Sequence, residues 1–435
     1  MRPATFSVTP DAARRARLTT RPRIALAMAG GGPLGAIYEI GALTALAESL
    51  SGVDFNDLDM YVGVSAGGIL GAGLANGIAP REMCRMFVES DDARGKRTDG
   101  EFFDPALLMQ PALGEYWRRM RSLPTLVVGA VWHFARRGWR GDPIRGLFSS
   151  FERLTRALPT GLFSNEGLQT FLVHAFQKPG RSNDFRALKA RLYLVATDLD
   201  SGQSVNFGAP GYDDVPISVA AAASSALPGL FPPVEINGRH YLDGALKRTL
   251  HASVALQAGA RLVLCLNPLV PYNDGMVRRV GGRPRRLVDG GLPVVLAQTF
   301  RAAIHSRMNI GMRQYEDDYP GADVMLFEPS SADADMFFTS LFSYGGRRRI
   351  CEHAYQKTRA DLWERRHVLA PVLARHGIEL NHRMLRDHTR TLVEGVLPRA
   401  PQPPLPVTAI TKRLADCLND LDRYLRYAEA ARTPA

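Results

Sequence analysis

Residues 24–46 read IALAMAGGGPLGAIYEIGALTAL, and the passage through Gly30, Gly31 and Gly32 decides the fold. The residues before the glycines are apolar without alternation, as in a strand buried on both faces. Those after them put Leu34, Ile37, Tyr38, Gly41, Ala42 and Ala45 on one helical face. The same order then repeats. DMYVGV at 59–64 predicts a second strand, GVSAG at 63–67 a second turn, and AGGILGAGLANG at 66–77 a helix of small residues. Two such units in succession predict an α/β domain with a parallel sheet.

Further along, residues 81–165 lose this rhythm and read as a mostly helical insertion. It returns with RLYLVATDLDSGQSVNF at 191–207, a strand, a turn at Ser201-Gly202 and a strand. VPISVAAAASSAL at 215–227 predicts a helix ending before Pro228, RHYLDGAL at 239–246 a short strand running into a turn, and ARLVLCLNPLV at 260–270 a buried strand. Residues 273–292, rich in Gly and Arg, read as a mobile loop, and the remainder as mainly helical. Residues 1–22 read as a disordered basic arm, 23–350 as the main α/β domain carrying the insertion, and 351–435 as a helical extension with a Pro-rich linker at 398–405.

The chain of 435 residues is 46% hydrophobic and 22% charged, enough for a substantial core, with a formal net charge of +11. Such a balance fits an anionic partner or a merely basic surface. Zinc-finger spacing and RNP-like aromatic motifs are missing, so no nucleic acid partner is expected. Its four cysteines form no CxxC pair, which argues against a disulfide scaffold or zinc site and for a reducing compartment. The N-terminus lacks the apolar core of a secretory signal, and no apolar run reaches the length of a membrane span. The expectation is a cytoplasmic protein, peripheral to a membrane at most, with no metal and no cofactor.

The first glycine turn admits two chemistries. Gly30, Gly32 and Gly35 match GxGxxG, a dinucleotide fingerprint, with Asp54, Asp57 and Asp59 as ribose candidates. The same exposed N–H groups suit an oxyanion; Pro33 has none to give, so Gly31 and Gly32 are the expected donors, with Gly30 or Leu34 beside them. The second turn favours the oxyanion reading. In GVSAG, Ser65 stands between Gly63 and Gly67 where a strand passes sharply into a helix, which pushes a nucleophile into the open. A serine needs a base. His240 and His251 read as structural, although a histidine-dependent α/β-hydrolase would make His251 essential. Asp243, at a strand end before Gly244, is either an ordinary turn aspartate or that base.

The order GGGPLG, GVSAG, DGA resembles the patatin-like phospholipase family, as do VATDLDSGQSVNF and AAAASSALPGLFPPVEINGRHYLDGAL, over roughly residues 23–270. The resemblance implies a three-layer α/β fold with a mainly parallel sheet, a helical insertion and a helical C-terminal region. It implies a Ser–Asp dyad without histidine: Ser65 as nucleophile, Asp243 as general base, Gly30, Gly31, Gly32 and Gly35 as the oxyanion turn, Gly63 and Gly67 as the nucleophile elbow, and Gly244 and Ala245 as the aspartate motif. Leu34 stands where that family often has Lys or Arg, and ALKRTLHASVAL, with Thr249 and His251, replaces its usual Asn and Pro. The implied activity is hydrolysis of phospholipid or lysophospholipid esters. A catalytically silent lipid-binding module and the dinucleotide-binding protein are the alternatives.

Two further segments carry expectations. Residues 118–140 flank a short apolar run containing Trp132 with arginines, which suits a membrane interface or a buried helix with a basic end. The helix expected at 406–429 spaces Val407, Ile410, Leu414, Cys417, Leu421 and Tyr424 as a short heptad seam, for docking on its own domain or for a homodimer.

Overall fold

The computed structural model describes residues 23–88, 107–108, 110–117, 119–121, 128, 132, 159–248, 250–279, 286–333, 336–337 and 346–392. Its strands are β1 (Ile24–Met28), β2 (Leu50–Ser51), β3 (Met60–Gly63), β4 (Arg191–Asp198), β5 (Ser204–Phe207), β6 (Val234–Ile236), β7 (Arg239–Asp243), β8 (Leu262–Leu266), β9 (Asp323–Phe327) and β10 (Glu379–Leu380). The helices are α1 (Gly32–Ser49), α2 (Ser65–Ala75), α3 (Pro80–Val88), α4 (Glu166–Phe176), α5 (Ile217–Ser224), α6 (Ala252–Gln257), α7 (Asp274–Arg279), α8 (Gly291–Asp318), α9 (Arg347–Glu364), α10 (Arg366–Arg375) and α11 (His382–Arg386).

The main sheet has the order β6-β7-β4-β3-β1-β8-β9, with β5 also paired to β4. β4, β3, β1, β8 and β9 run parallel. Alternation along the strands feeds two cores. Ala25, Ala27, Met60, Val62 and Val263 pack with Ala252 and Leu256 of α6 and Met308 and Tyr315 of α8. On the other face the side chains of Met28 and Leu192 reach Gly71 of α2, and Leu194 reaches Gly68. Helices cover both faces, so central strands need no polar side, and the expected α/β fold with a mainly parallel sheet is the one observed.

Several elements differ from expectation. The region 273–292 is helical at both ends: α7 starts with Asp274 and ends with Arg278 and Arg279, each matching the helix dipole, and a 3₁₀ turn spans Leu287–Gly290. β9 lies within a stretch expected to be helical. The boundary expected at residue 350 falls inside α9, which packs along α1, and one compact unit extends to Leu392. The arm at 1–22, the linker at 398–405 and the seam helix at 406–429 lie outside the described residues. So does most of the insertion, and all of 118–140 except residues 119–121, 128 and 132. No helix among the described residues is long and apolar enough to cross a membrane.

Candidate active site

β4 assembles the site. β3 runs parallel to it and stops with Gly63 opposite Leu194. β7 approaches from the other end of the same edge, antiparallel, and stops with Asp243 opposite Ala196; β5 occupies the far edge. β3 and β7 thus meet end to end, and the residues leaving their C-terminal ends converge. Ser65 opens α2 with φ of 52°, the left-handed strain of a nucleophile elbow. Gly67 permits that turn, because a Cβ there would fall 2.5 Å from the Ala29 carbonyl oxygen. The Ser65 N–H donates to Ser224 Oγ at 2.9 Å, and Ser224 Oγ donates to the Val195 carbonyl at 2.6 Å. The elbow is therefore pinned through α5 to β4.

The glycine turn closes over the same point. A Cβ on Gly30 would lie 3.2 Å from Ser65 Cβ and 3.3 Å from Ala245 Cβ. The N–H groups of Gly30 and Gly31 have no backbone acceptor among the described residues, so both are free to donate into the site. Gly31 caps α1, and Pro33 follows in the first turn. A Cβ on Gly31 would strike Pro268 at 2.7 Å and Gly35 at 2.8 Å, so Gly35 serves close packing beneath the turn. α1 and α2 both begin here without an acidic residue in their first turns, and their positive ends favour developing negative charge.

Asp243 is buried, 3% exposed. Its Oδ1 accepts from the Ala245 N–H at 2.8 Å, and its carbonyl accepts from Thr197 Oγ1 at 3.2 Å. Burial pushes its carboxyl up to about 6, while the Ala245 N–H and the Ser65 hydroxyl hold it from rising further. Ser65, Asp243, Gly30, Gly31, Gly32 and Ala245 line one cleft open to solvent, whose walls include Ile37, Ile69, Leu70, Phe87, Leu168, Leu230 and, from α8, Ala297, Phe300 and Arg301. A mainly apolar cleft suits an acyl chain.

The competing candidates lie elsewhere. His240 is exposed on β7. His251 is buried outside the cleft lining, and burial lowers its pKa to about 4, leaving it neutral. Asp54, Asp57 and Asp59 precede β3 at the opposite end of the sheet from the glycine turn. Asp59 Oδ2 accepts from the Ile24 N–H, and Asp57 pairs with Lys189. No ribose held at the turn would meet them. Pro268, beneath the glycine turn, carries no motif in the sequence, and Ser224 stands in the family-like stretch AAAASSALPGLFPP without a role assigned to it there.

A family model described as patatin-like phospholipase matches residues 26–256. The chain belongs to that family. Patatin-like phospholipases are lipid hydrolases, and several solved structures align with this chain at low identity. VipD from Legionella pneumophila aligns at 15% identity and a TM-score of 0.34, covering 78% of this chain and 66% of that one. The type III effector ExoU, from Pseudomonas aeruginosa, aligns at 16% and 0.32, covering 79% and 53%. Human GIVD cytosolic phospholipase A2, solved with methyl γ-linolenyl fluorophosphonate, aligns at 13% and 0.24, covering 61% and 44%. This patatin-like chain matches between about half and two thirds of the length of the two bacterial proteins.

Proposed function

We propose that this protein is a serine hydrolase of phospholipid or lysophospholipid carboxylic esters, working through Ser65 and Asp243. The Asp243 carboxylate takes the proton of Ser65 Oγ as the oxygen attacks the ester carbonyl. The N–H groups of Gly30 and Gly31 receive the oxyanion. The proton passes from Asp243 to the departing alkoxide, leaving acyl-Ser65. Water then gives a proton to Asp243 and attacks the acyl carbon, and Asp243 returns that proton to Ser65 Oγ as the acyl–oxygen bond breaks, releasing the fatty acid and the free serine. The observation that carries the reading is the buried Asp243 beside Ser65 in an apolar cleft. Its raised pKa makes it a better proton acceptor than an ordinary carboxylate, yet leaves it ionised at neutral pH.

The test is hydrolysis of p-nitrophenyl esters by the wild type, Ser65→Ala and Asp243→Asn. Each variant is expected to lose on the order of 10³-fold or more in kcat while melting as a folded protein. Activity surviving in Ser65→Ala would overturn the mechanism. A silent lipid-binding module would show no turnover in the wild type and no covalent labelling of Ser65 by an alkyl phosphonate.

A further inference from the structure

Arg301, in the third turn of α8, is a buried cation with no counter-charge among the described residues. It is only 5% exposed. No hydrogen bond or ion pair joins it to any described residue; its one polar-type contact is the face of Phe337, 5.0 Å from the guanidinium carbon. Burial lowers its pKa, to about 10, with no carboxylate among the described residues opposing the shift. Other covered arginines among the described residues have acceptors: Arg181 meets Glu82, Arg390 meets Glu48, and Arg359, as buried as Arg301, donates to the carbonyls of Met384, Asp387 and Arg390. A ring face offsets part of the desolvation of a guanidinium but satisfies none of its five N–H donors. Buried charge of this kind is retained where something else supplies the partner.

Its position says what that partner is. Arg301 lines the cleft that holds Ser65 and Asp243, the one cation amid walls that are apolar apart from Asn165 and Ser225 among the described residues. The fatty acyl part of a substrate has nothing to offer a guanidinium, whereas a planar fork of donors matches a phosphate in bidentate fashion. We infer that Arg301 is the residue that recognises the phosphate of the lipid substrate and makes the enzyme prefer phosphate-bearing acyl glycerols over neutral ones. This rests on the hydrolase reading above. Arg301 takes no part in proton transfer; it is a specificity residue.

The experiment compares 1-lauroylglycerol phosphate with 1-lauroylglycerol, which share an acyl chain and differ in the anion. The wild type is expected to favour the phosphate ester. Arg301→Gln should lower its kcat/KM at least about tenfold, chiefly through KM, and leave 1-lauroylglycerol within about twofold; Arg301→Lys should keep part of the preference. An equal fall for both esters, or an unchanged preference, would overturn the assignment. Binding is measured separately in the Ser65→Ala protein with dodecyl phosphate, inorganic phosphate and dodecanoate. Dodecyl phosphate alone should weaken, at least about tenfold, when Arg301→Gln is added. The same loss with inorganic phosphate would make this a free-phosphate site, and the same loss with dodecanoate a product-carboxylate site; either sinks the headgroup assignment. Intact binding discrimination with no ester turnover would refute the hydrolase reading and leave this one standing. Thermal melting of Arg301→Met, which removes the unpaired charge but keeps the bulk, should give a midpoint at or above that of the wild type; a collapsed melt would show that Arg301 holds the fold instead.

Discussion

Asp243 sets a pH dependence in two directions. Ionised, it is the proposed base, so kcat/KM should fall about tenfold per unit below an apparent pKa of about 6. Its folded pKa is raised above the unfolded value, so the folded chain holds a proton between roughly pH 4 and 6 that the unfolded chain has lost. Stability supplied by the protonated group is full below pH 4 and gone above 6. Asp243→Asn keeps an acceptor for the Ala245 N–H without the buried charge. It should therefore be inactive yet more stable than wild type at pH 8, by up to about 3 kcal/mol for a shift of this size, with the gap closing at pH 4. Urea titrations at both pH values check this; equal stability at pH 8 would show that Asp243 is not strained by burial. Ser65 and Asp243 were legible because tight turns compress their chemistry into neighbouring letters, GVSAG and LDGA. Ser224 and Arg301 were not. A single polar residue in an apolar helix has no local pattern, and Ser224 finds its partner Ser65 at a distance of 159 residues.

At the level of elements, the strands that end in glycine turns could be read, since their apolar runs have sharp borders. β9 could not: a five-residue run, DVMLF, half-buried at the sheet edge, has no periodicity that separates strand from helix. α3 shows what the insertion's first element does. Phe87 lies between the candidate cleft and a small apolar crevice lined by Met83, Met86, Phe171 and Phe176. Its ring packs edge-on to Phe171 at 6.2 Å. Phe87→Ala should join the two spaces and shift the preference towards longer chains, raising the palmitate-to-butyrate ratio of kcat/KM several-fold. A ratio unchanged in a folded variant would mean that acyl chains take another route.

Across the whole molecule, the family match ends at residue 256, but the fold does not. β8 lies beyond it and pairs β1 along its full length. α9, also beyond it, lies so close to α1 that a Cβ on Gly41 would fall 2.3 Å from the Cys351 carbonyl oxygen. Glu48 at the far end of α1 binds Arg81, Tyr355 and Arg390. The later part of the chain thus braces the helix that begins at the glycine turn. Gly41→Ala should cost about 1–3 kcal/mol by forcing these helices apart, measured as a lower denaturation midpoint; an unchanged midpoint would show that the two helices yield without cost. The meeting of β3 and β7 across β4 has a consequence for biosynthesis. A ribosome that has delivered residues 23–200 has made the serine and the glycine turn, but no carboxylate stands beside them. On the proposed dyad, the nascent chain would stay inert towards esters until β7 has turned back and docked on β4, a long-range pairing that forms slowly. Phosphonate capture of Ser65 would then time the docking of β7 on β4, and the proposed nucleophile would remain unarmed through most of its own synthesis.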